Sequence, residues 1–185
     1  GTAFTKGIQN TETAGRHPES VAKHFLGFHN SQGGIDGANV DAGDRLLSEI
    51  YGKPFQAAIR DARLRGVMPC YCSISGLPIH ASKQYLTGLL RTEMGFDGVV
   101  VSDYSAVENV HQVQHVGESK GEAGLRCMKA GMDVELPMPV CYSGEMKEYF
   151  EEGKEDMAVL DRAVLRVLEA KFRMGLFENP YALTG

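Results

Sequence analysis

Asp103 is the residue whose position says most about chemistry. It follows Gly98-Val99-Val100-Val101-Ser102, a continuous β-branched run of the kind that forms a strand buried on both faces. In parallel α/β folds, functional groups collect at the carboxyl ends of the strands. A carboxylate there, with an ordinary pKa of about 3.9, is ionised at neutral pH and suits a nucleophile or an electrostatic stabiliser better than an acid. The plain alternative is a helix cap, which aspartate also makes well. The same strand-end rule points to Lys23-His24, Tyr71 and Glu135. Lys23-His24 sets a cation beside an imidazole, a pair able to bind hydroxyls, a carboxylate or a phosphate. Its plain alternative is a solvated edge charge next to a satisfied core histidine. His29, His80, His111 and His115 read as loop or helix-surface residues.

Other chemistries find no pattern. Asp36-Gly37-Ala38-Asn39-Val40-Asp41 resembles a calcium loop only superficially, because its acidic spacing and glycine are misplaced. No H-E-x-x-H, P-loop or G-x-G-x-x-G occurs. The 4 cysteines are too sparse for a disulfide scaffold and lack metal-ligand spacing. Cys70 and Cys72 therefore read as buried thiols, with a lean to a reducing, cytoplasmic-type compartment. Neither a metal nor a cofactor is implied.

The elements that must position these residues follow from periodicity. Phe4 to Gln9 reads as the end of a helix, and Val21 to Leu26 as a short strand before a glycine-rich loop from Gly27 to Gly43. Asp44 to Arg65 has helical spacing broken by Pro54. Gly66 to Tyr71 is a second strand, and Ser82 caps a helix that glycine stops at Gly95. Phe96 to Val101 is the third strand, Gly121 to Ala130 a helix, and Met132 to Leu136 the fourth strand. Asp156 to Met174 is a long amphipathic helix with Leu160, Ala163, Val164, Val167, Leu168 and Phe172 on one stripe.

Strands alternating with helices imply βαβ units and a parallel sheet. With 185 residues the chain shows four such units, about half of a closed barrel of about 250 residues. The fold expected is α/β: a partial TIM-type (β/α) barrel of parallel strands, one domain over residues 1–185. A small doubly wound sheet is the competitor, and it predicts the glycine fingerprint that is missing. A half-barrel leaves apolar strand edges open, so the chain is expected to associate with the missing half or with a copy of itself. The opening at Gly1 rather than Met carries no meaning for the fold. The formal charge of −5, from 24 acidic and 19 basic residues, argues against nucleic acid or an anionic membrane as partner. No apolar run is long enough to span a bilayer.

At this point the residues converge. Lys23-His24-Phe25, Gly33-Gly34-Ile35-Asp36, Met68-Pro69-Cys70-Tyr71 and the string Gly95-Phe96-Asp97-Gly98-Val99-Val100-Val101-Ser102-Asp103-Tyr104 occur in order. Together with the tail Lys171-Phe172-Arg173-Met174-Gly175-Leu176-Phe177-Glu178-Asn179-Pro180-Tyr181, they resemble glycoside hydrolase family 3, the β-glucosidase and β-xylosidase group. The resemblance covers nearly the whole chain. It implies that Asp103 is the nucleophile forming a covalent glycosyl-enzyme, and that Lys23 and His24 hydrogen-bond the non-reducing sugar. Tyr71 would be a pocket tyrosine and Met68 would line the same pocket. Tyr104 stands where many members carry tryptophan, which makes for a smaller stacking platform. A cationic Lys23 beside Asp103 would keep it ionised.

A retaining glycosidase also needs a carboxylic acid about 5 to 5.5 Å from its nucleophile. In most of the family a later domain supplies it, and a preceding half-barrel supplies an aspartate that grips the sugar. Glu118 and Glu135 are the carboxylates in reach of sequence reasoning, and nothing singles either out. The function expected is therefore part of an exo-acting β-glycosidase for terminal glucose or xylose, weak or inactive alone, with a β-glycoside or oligosaccharide as substrate. Two other readings stand beside it: a non-catalytic half-barrel serving as an assembly subunit or sugar-binding module, and the β-N-acetylglucosaminidase branch of the family.

Overall fold

Each apolar run finds its partner next door in the sequence. The computed structural model describes residues 1–12 and 16–181. In order come α1 (Thr2–Gln9), β1 (Val21–Phe25), the two-residue β2 (Asn39–Val40), α2 (Asp44–Leu46) with a π-turn over Leu47–Tyr51, α3 (Lys53–Ala62) and β3 (Gly66–Pro69). Then follow the short β4 (Ser73–Ile74) and β5 (Leu77–Pro78), a π-wound helix over Gln84–Glu93, and β6 (Val99–Tyr104). The chain closes with α4 (Ala106–Gln112), α5 (Lys120–Ala130), β7 (Val134–Leu136), α6 (Gly144–Glu151) and α7 (Met157–Arg173).

The main sheet has the order β1-β3-β6-β7, and all its pairings are parallel. A doubly wound sheet reverses its order at a switch point. Here every strand lies beside the one before it, with helices between, which is the local arrangement of a (β/α) barrel. The chain is thus a partial TIM-type barrel of four parallel strands. β2, β4 and β5 come from the loops after β1 and β3 and form a second, small sheet.

Burial on the helical side holds the layers together. Val67 on β3 and Val100 on β6 are fully buried against Leu86 and Leu90 of the π-wound helix. Each such side chain contributes about 1.5–3 kcal/mol of transfer free energy. β6 can lie this close to β3 because residue 98 has no side chain. A Cβ on Gly98 would fall 2.0 Å from the carbonyl oxygen of Arg65, the same oxygen that accepts the Val99 N–H at 2.9 Å.

At the amino ends of the strands a buried ionic knot joins three elements. Asp133, fully buried, accepts Arg91 from the π-wound helix at 2.7 Å and Arg166 from α7 at 2.9 Å. It also accepts the backbone N–H of Val100 at 2.8 Å. Arg91 spends its remaining reach on the carbonyls of Gly98 and Gly131.

Several expectations need correcting. The third strand is Val99–Tyr104, not Phe96 to Val101. Phe96 instead packs into the core, with Arg91 stacked 5.6 Å above its ring. β6 is also not buried on both faces: Val100 and Ser102 are buried, while Val99 and Val101 are only half-buried. The helices cover one face of the sheet, and the face that would line a barrel is open. On α7 only Ala163 and Ala170 are buried, and Val164, Leu168 and Phe172 of the expected stripe face outward. Helix α6 has no counterpart in the sequence reading, because it buries only Met146 and Phe150 among charged neighbours. Among the described residues no helix is long and apolar enough to cross a membrane.

Candidate active site

β6 outruns its neighbour. Its pairing with β3 stops at Val67↔Val100, and its register against β7 shifts between Val101 and Tyr104. The backbone at the tip of β6 therefore needs partners other than a sheet ladder, and side chains provide them. Buried His80 takes the Asp103 N–H on its Nε2 at 3.4 Å. Ser102 Oγ donates to the Asp103 carbonyl at 2.8 Å and accepts the Leu136 N–H at 2.8 Å. The Tyr71 hydroxyl donates to the Tyr104 carbonyl at 2.8 Å.

The Asp103 carboxylate projects from this frame. One oxygen accepts the N–H of Tyr104 at 2.8 Å. The other lies 3.1 Å from His24 Nε2, which reaches across from β1. That contact is an ion pair when the imidazole is protonated and an N–H···O hydrogen bond when it is neutral. The carboxylate keeps 17% of its side-chain surface and His24 keeps 23%, so both remain accessible. The helix-cap reading fails: α4 starts from Ser105, without a side-chain cap.

Two neighbours are held in one protonation state. Burial, and then the adjacent Asp103 carboxylate, push the Tyr71 hydroxyl up to about 12, so it stays a donor. Burial pulls His80 down to about 4, and the attraction of Asp103 offsets this only in part. His80 is therefore a neutral acceptor at ordinary pH. The sequence reading placed His80 on the surface, whereas it is 2% exposed. The signal available was its setting between Ile79 and Ala81, directly after the turn at Ser75-Gly76.

The remaining expected residues are distributed less tightly. Lys23 is exposed and makes no ion pair with Asp103; it lines a groove of about 410 Å³ with Phe4, Ile8, Val21 and Phe55. The register of β1 shifts after Lys23, and His24 is the residue that turns to Asp103. The positive charge expected beside the carboxylate is thus not that of Lys23. Met68 is half-buried on β3, opposite Lys23 in register. The Tyr104 ring is 63% exposed. Glu118 is exposed between α4 and α5. Glu135 is buried, and its oxygens accept the N–H groups of Cys141 and Tyr142, so it organises the loop after β7. Cys70 and Cys72 are buried free thiols, as expected.

Beside Tyr71 and His80 opens a cavity of about 290 Å³, lined also by Asp36, Ala106, Asn109 and Gln114. A larger groove of about 890 Å³ lies on the helical side and is lined by Lys83, Glu122, Arg126 and Lys129. Arg126 and Lys129 are paired there with Glu122 and Glu155. The chemistry therefore belongs to the strand ends. An accessible carboxylate on a rigid strand tip, flanked by hydrogen-bond donors, can bond to an electrophilic carbon or stabilise positive charge on it.

Comparison with known proteins identifies the family. The sequence profile of the glycosyl hydrolase family 3 N-terminal domain matches residues 1–170. A β-xylosidase of Formosa agariphila is 33% identical over 96% of this chain and 26% of its own length. The periplasmic β-glucosidase of Salmonella typhimurium is 32% identical over 100% of this chain and 24% of its own. The β-glucosidase structure from Listeria innocua superposes with a TM-score of 0.90 at 34% identity, over 98% of this chain and 25% of that one. The same enzyme has been solved with glucose, and a mutant of it with laminaribiose. The chain spans about a quarter of the length of these relatives. With the family profile covering residues 1–170 and glycosidase relatives matching nearly every position, this chain belongs to glycosyl hydrolase family 3.

Proposed function

We propose that residues 1–185 form the nucleophile-bearing part of a retaining β-glycosidase that removes terminal glucose or xylose units. The observation that carries this reading is the Asp103 carboxylate, fixed at the carboxyl end of β6, met by His24 at 3.1 Å and still accessible. An Asp103 oxygen bonds to the anomeric carbon while the glycosidic C–O bond breaks and an acid protonates the leaving oxygen. Water then attacks the same carbon, gives up a proton to the conjugate base of that acid, and frees Asp103. Orientation on the rigid strand supplies several kcal/mol of the barrier.

His24 binds hydroxyls of the non-reducing sugar, its ring oriented by its contact with Asp103. Tyr71 and Met68 line the pocket, and the exposed Tyr104 offers a small stacking face. Glu135 is committed to backbone amides and does not serve as the acid. The open edges of β1 and β7 receive the other strands of the barrel. The substrate class rests on the relatives named β-glucosidase and β-xylosidase.

A 2,4-dinitrophenyl 2-deoxy-2-fluoro-β-glucoside or xyloside, applied to the gene product carrying residues 1–185, tests the reading. Intact mass should rise by one glycosyl group, and peptide mapping should place it on Asp103. Asp103→Ala should lower aryl-glycoside turnover by more than about 10³-fold. Unchanged turnover in that variant would remove the proposal.

A further inference from the structure

The tip of β6 carries a second design feature, separate from the carboxylate. We propose that His80 is a positioning residue of the site: its buried Nε2 accepts the Asp103 N–H where β6 has outrun the β3 ladder, and so sets the direction in which the carboxylate projects. The inference rests on Asp103 being the nucleophile and names the group that aims it.

Three observations converge. The contact is Asp103 N–H to His80 Nε2 at 3.4 Å, long for a hydrogen bond, as such contacts often are without substrate. Its partner Tyr71 grips the Tyr104 carbonyl from the same β3–β5 segment, so two side chains replace the missing strand on one side of the tip. His80 itself is 2% exposed, in the short helical turn Ile79–Ala81 that follows β5. That burial leaves it no freedom to follow Asp103 if the tip shifts. A neutral imidazole has one acceptor nitrogen, and here that nitrogen faces the nucleophile's own amide. With the acceptor removed, the part-buried N–H of Asp103 is left unpaired, and the strand tip must turn to satisfy it.

The test compares His80→Phe, which keeps a ring and loses the acceptor, with His80→Gln, whose amide oxygen can take the Asp103 N–H. The readout is the labelling of Asp103 by the fluoroglycoside, resolved into a maximal rate and a half-saturating concentration. His80→Phe should lower the maximal rate by about 10²-fold, with half-saturation changed by less than about threefold. His80→Gln should recover most of the rate. A wild-type rate in His80→Phe overturns the inference. So does an equal loss in both variants that follows their loss of thermal stability, since the imidazole then only fills space.

The wild-type chain gives a reading that does not depend on either variant folding. Nitrogen NMR should find Nε2 of His80 unprotonated and coupled to the Asp103 amide, and a protonated Nε2 overturns the role. Label found on a residue other than Asp103 overturns the underlying reading, and the positioning role with it.

Discussion

Two buried-strand aspartates, Asp133 and Asp103, sit at opposite ends of neighbouring strands and are treated in opposite ways. Asp133, at the entry to β7, has no exposed side-chain surface and accepts two arginines and a backbone N–H. Asp103, at the exit of β6, keeps 17% of its surface and accepts one imidazole and one backbone N–H. The first carboxylate is saturated and dry. The second keeps part of its surface accessible. In barrels the amino end of the sheet serves stability and the carboxyl end serves chemistry, and here the difference is legible as the number and kind of donors on a single side chain.

Replacing each aspartate separates the two roles. Asp133→Ala leaves Arg91 and Arg166 without their shared anion, and burial already pulls Arg91 below the usual guanidinium range. Removing one member of a buried pair costs about 3–5 kcal/mol, read as a lowered urea midpoint. Asp103→Asn, with its fewer donors, should cost about 1 kcal/mol or less. Equal losses of stability would erase the comparison.

A second contrast comes from pH. His80 titrates at about 4 in the folded chain and at 6.5 in its unperturbed state. Its folded value is depressed, so its contribution to stability is present above pH 6.5 and is lost as pH falls towards 4. The loss amounts to about 3 kcal/mol. Asp103 and His24 face this ring: the carboxylate pulls its pKa up and the imidazole pushes it down. Unfolding free energies measured from pH 7 to 4 should fall more steeply in the wild type than in His80→Phe. Parallel curves would show that His80 takes up its proton without cost.

The strand pattern, the barrel-like order and the position of Asp103 at a strand tip were all readable in advance, because a β-branched run ending in a carboxylate depends on local sequence. The exact span of β6 was not. Phe96 is as apolar as the valines, yet its ring belongs to the core beneath Arg91, and only Gly98 lets the chain approach β3. His80 was misplaced for a similar reason. Its burial comes from the β4–β5 hairpin folding under the tip of β6, a contact between residues 23 apart in sequence. The exposed face of β6 and the outward stripe of α7 show where periodicity reports a preference for burial without saying what provides it. His24 displaced Lys23 as the partner of Asp103 because a register shift decides which of two adjacent side chains turns inward.

The smallest expected effect separates the two grips on the β6 tip. Tyr71→Phe removes only the hydroxyl that donates to the Tyr104 carbonyl at 2.8 Å. That carbonyl lies next to an exposed side chain and can turn to water, so the stability change should be about 0.5–1.5 kcal/mol. The Asp103 N–H, by contrast, is part-buried and held by the fully buried His80. Tyr71→Phe should therefore slow Asp103 labelling less than His80→Phe does. If the tyrosine variant proves the slower, the Tyr104 carbonyl and not the Asp103 amide sets the aim of the carboxylate.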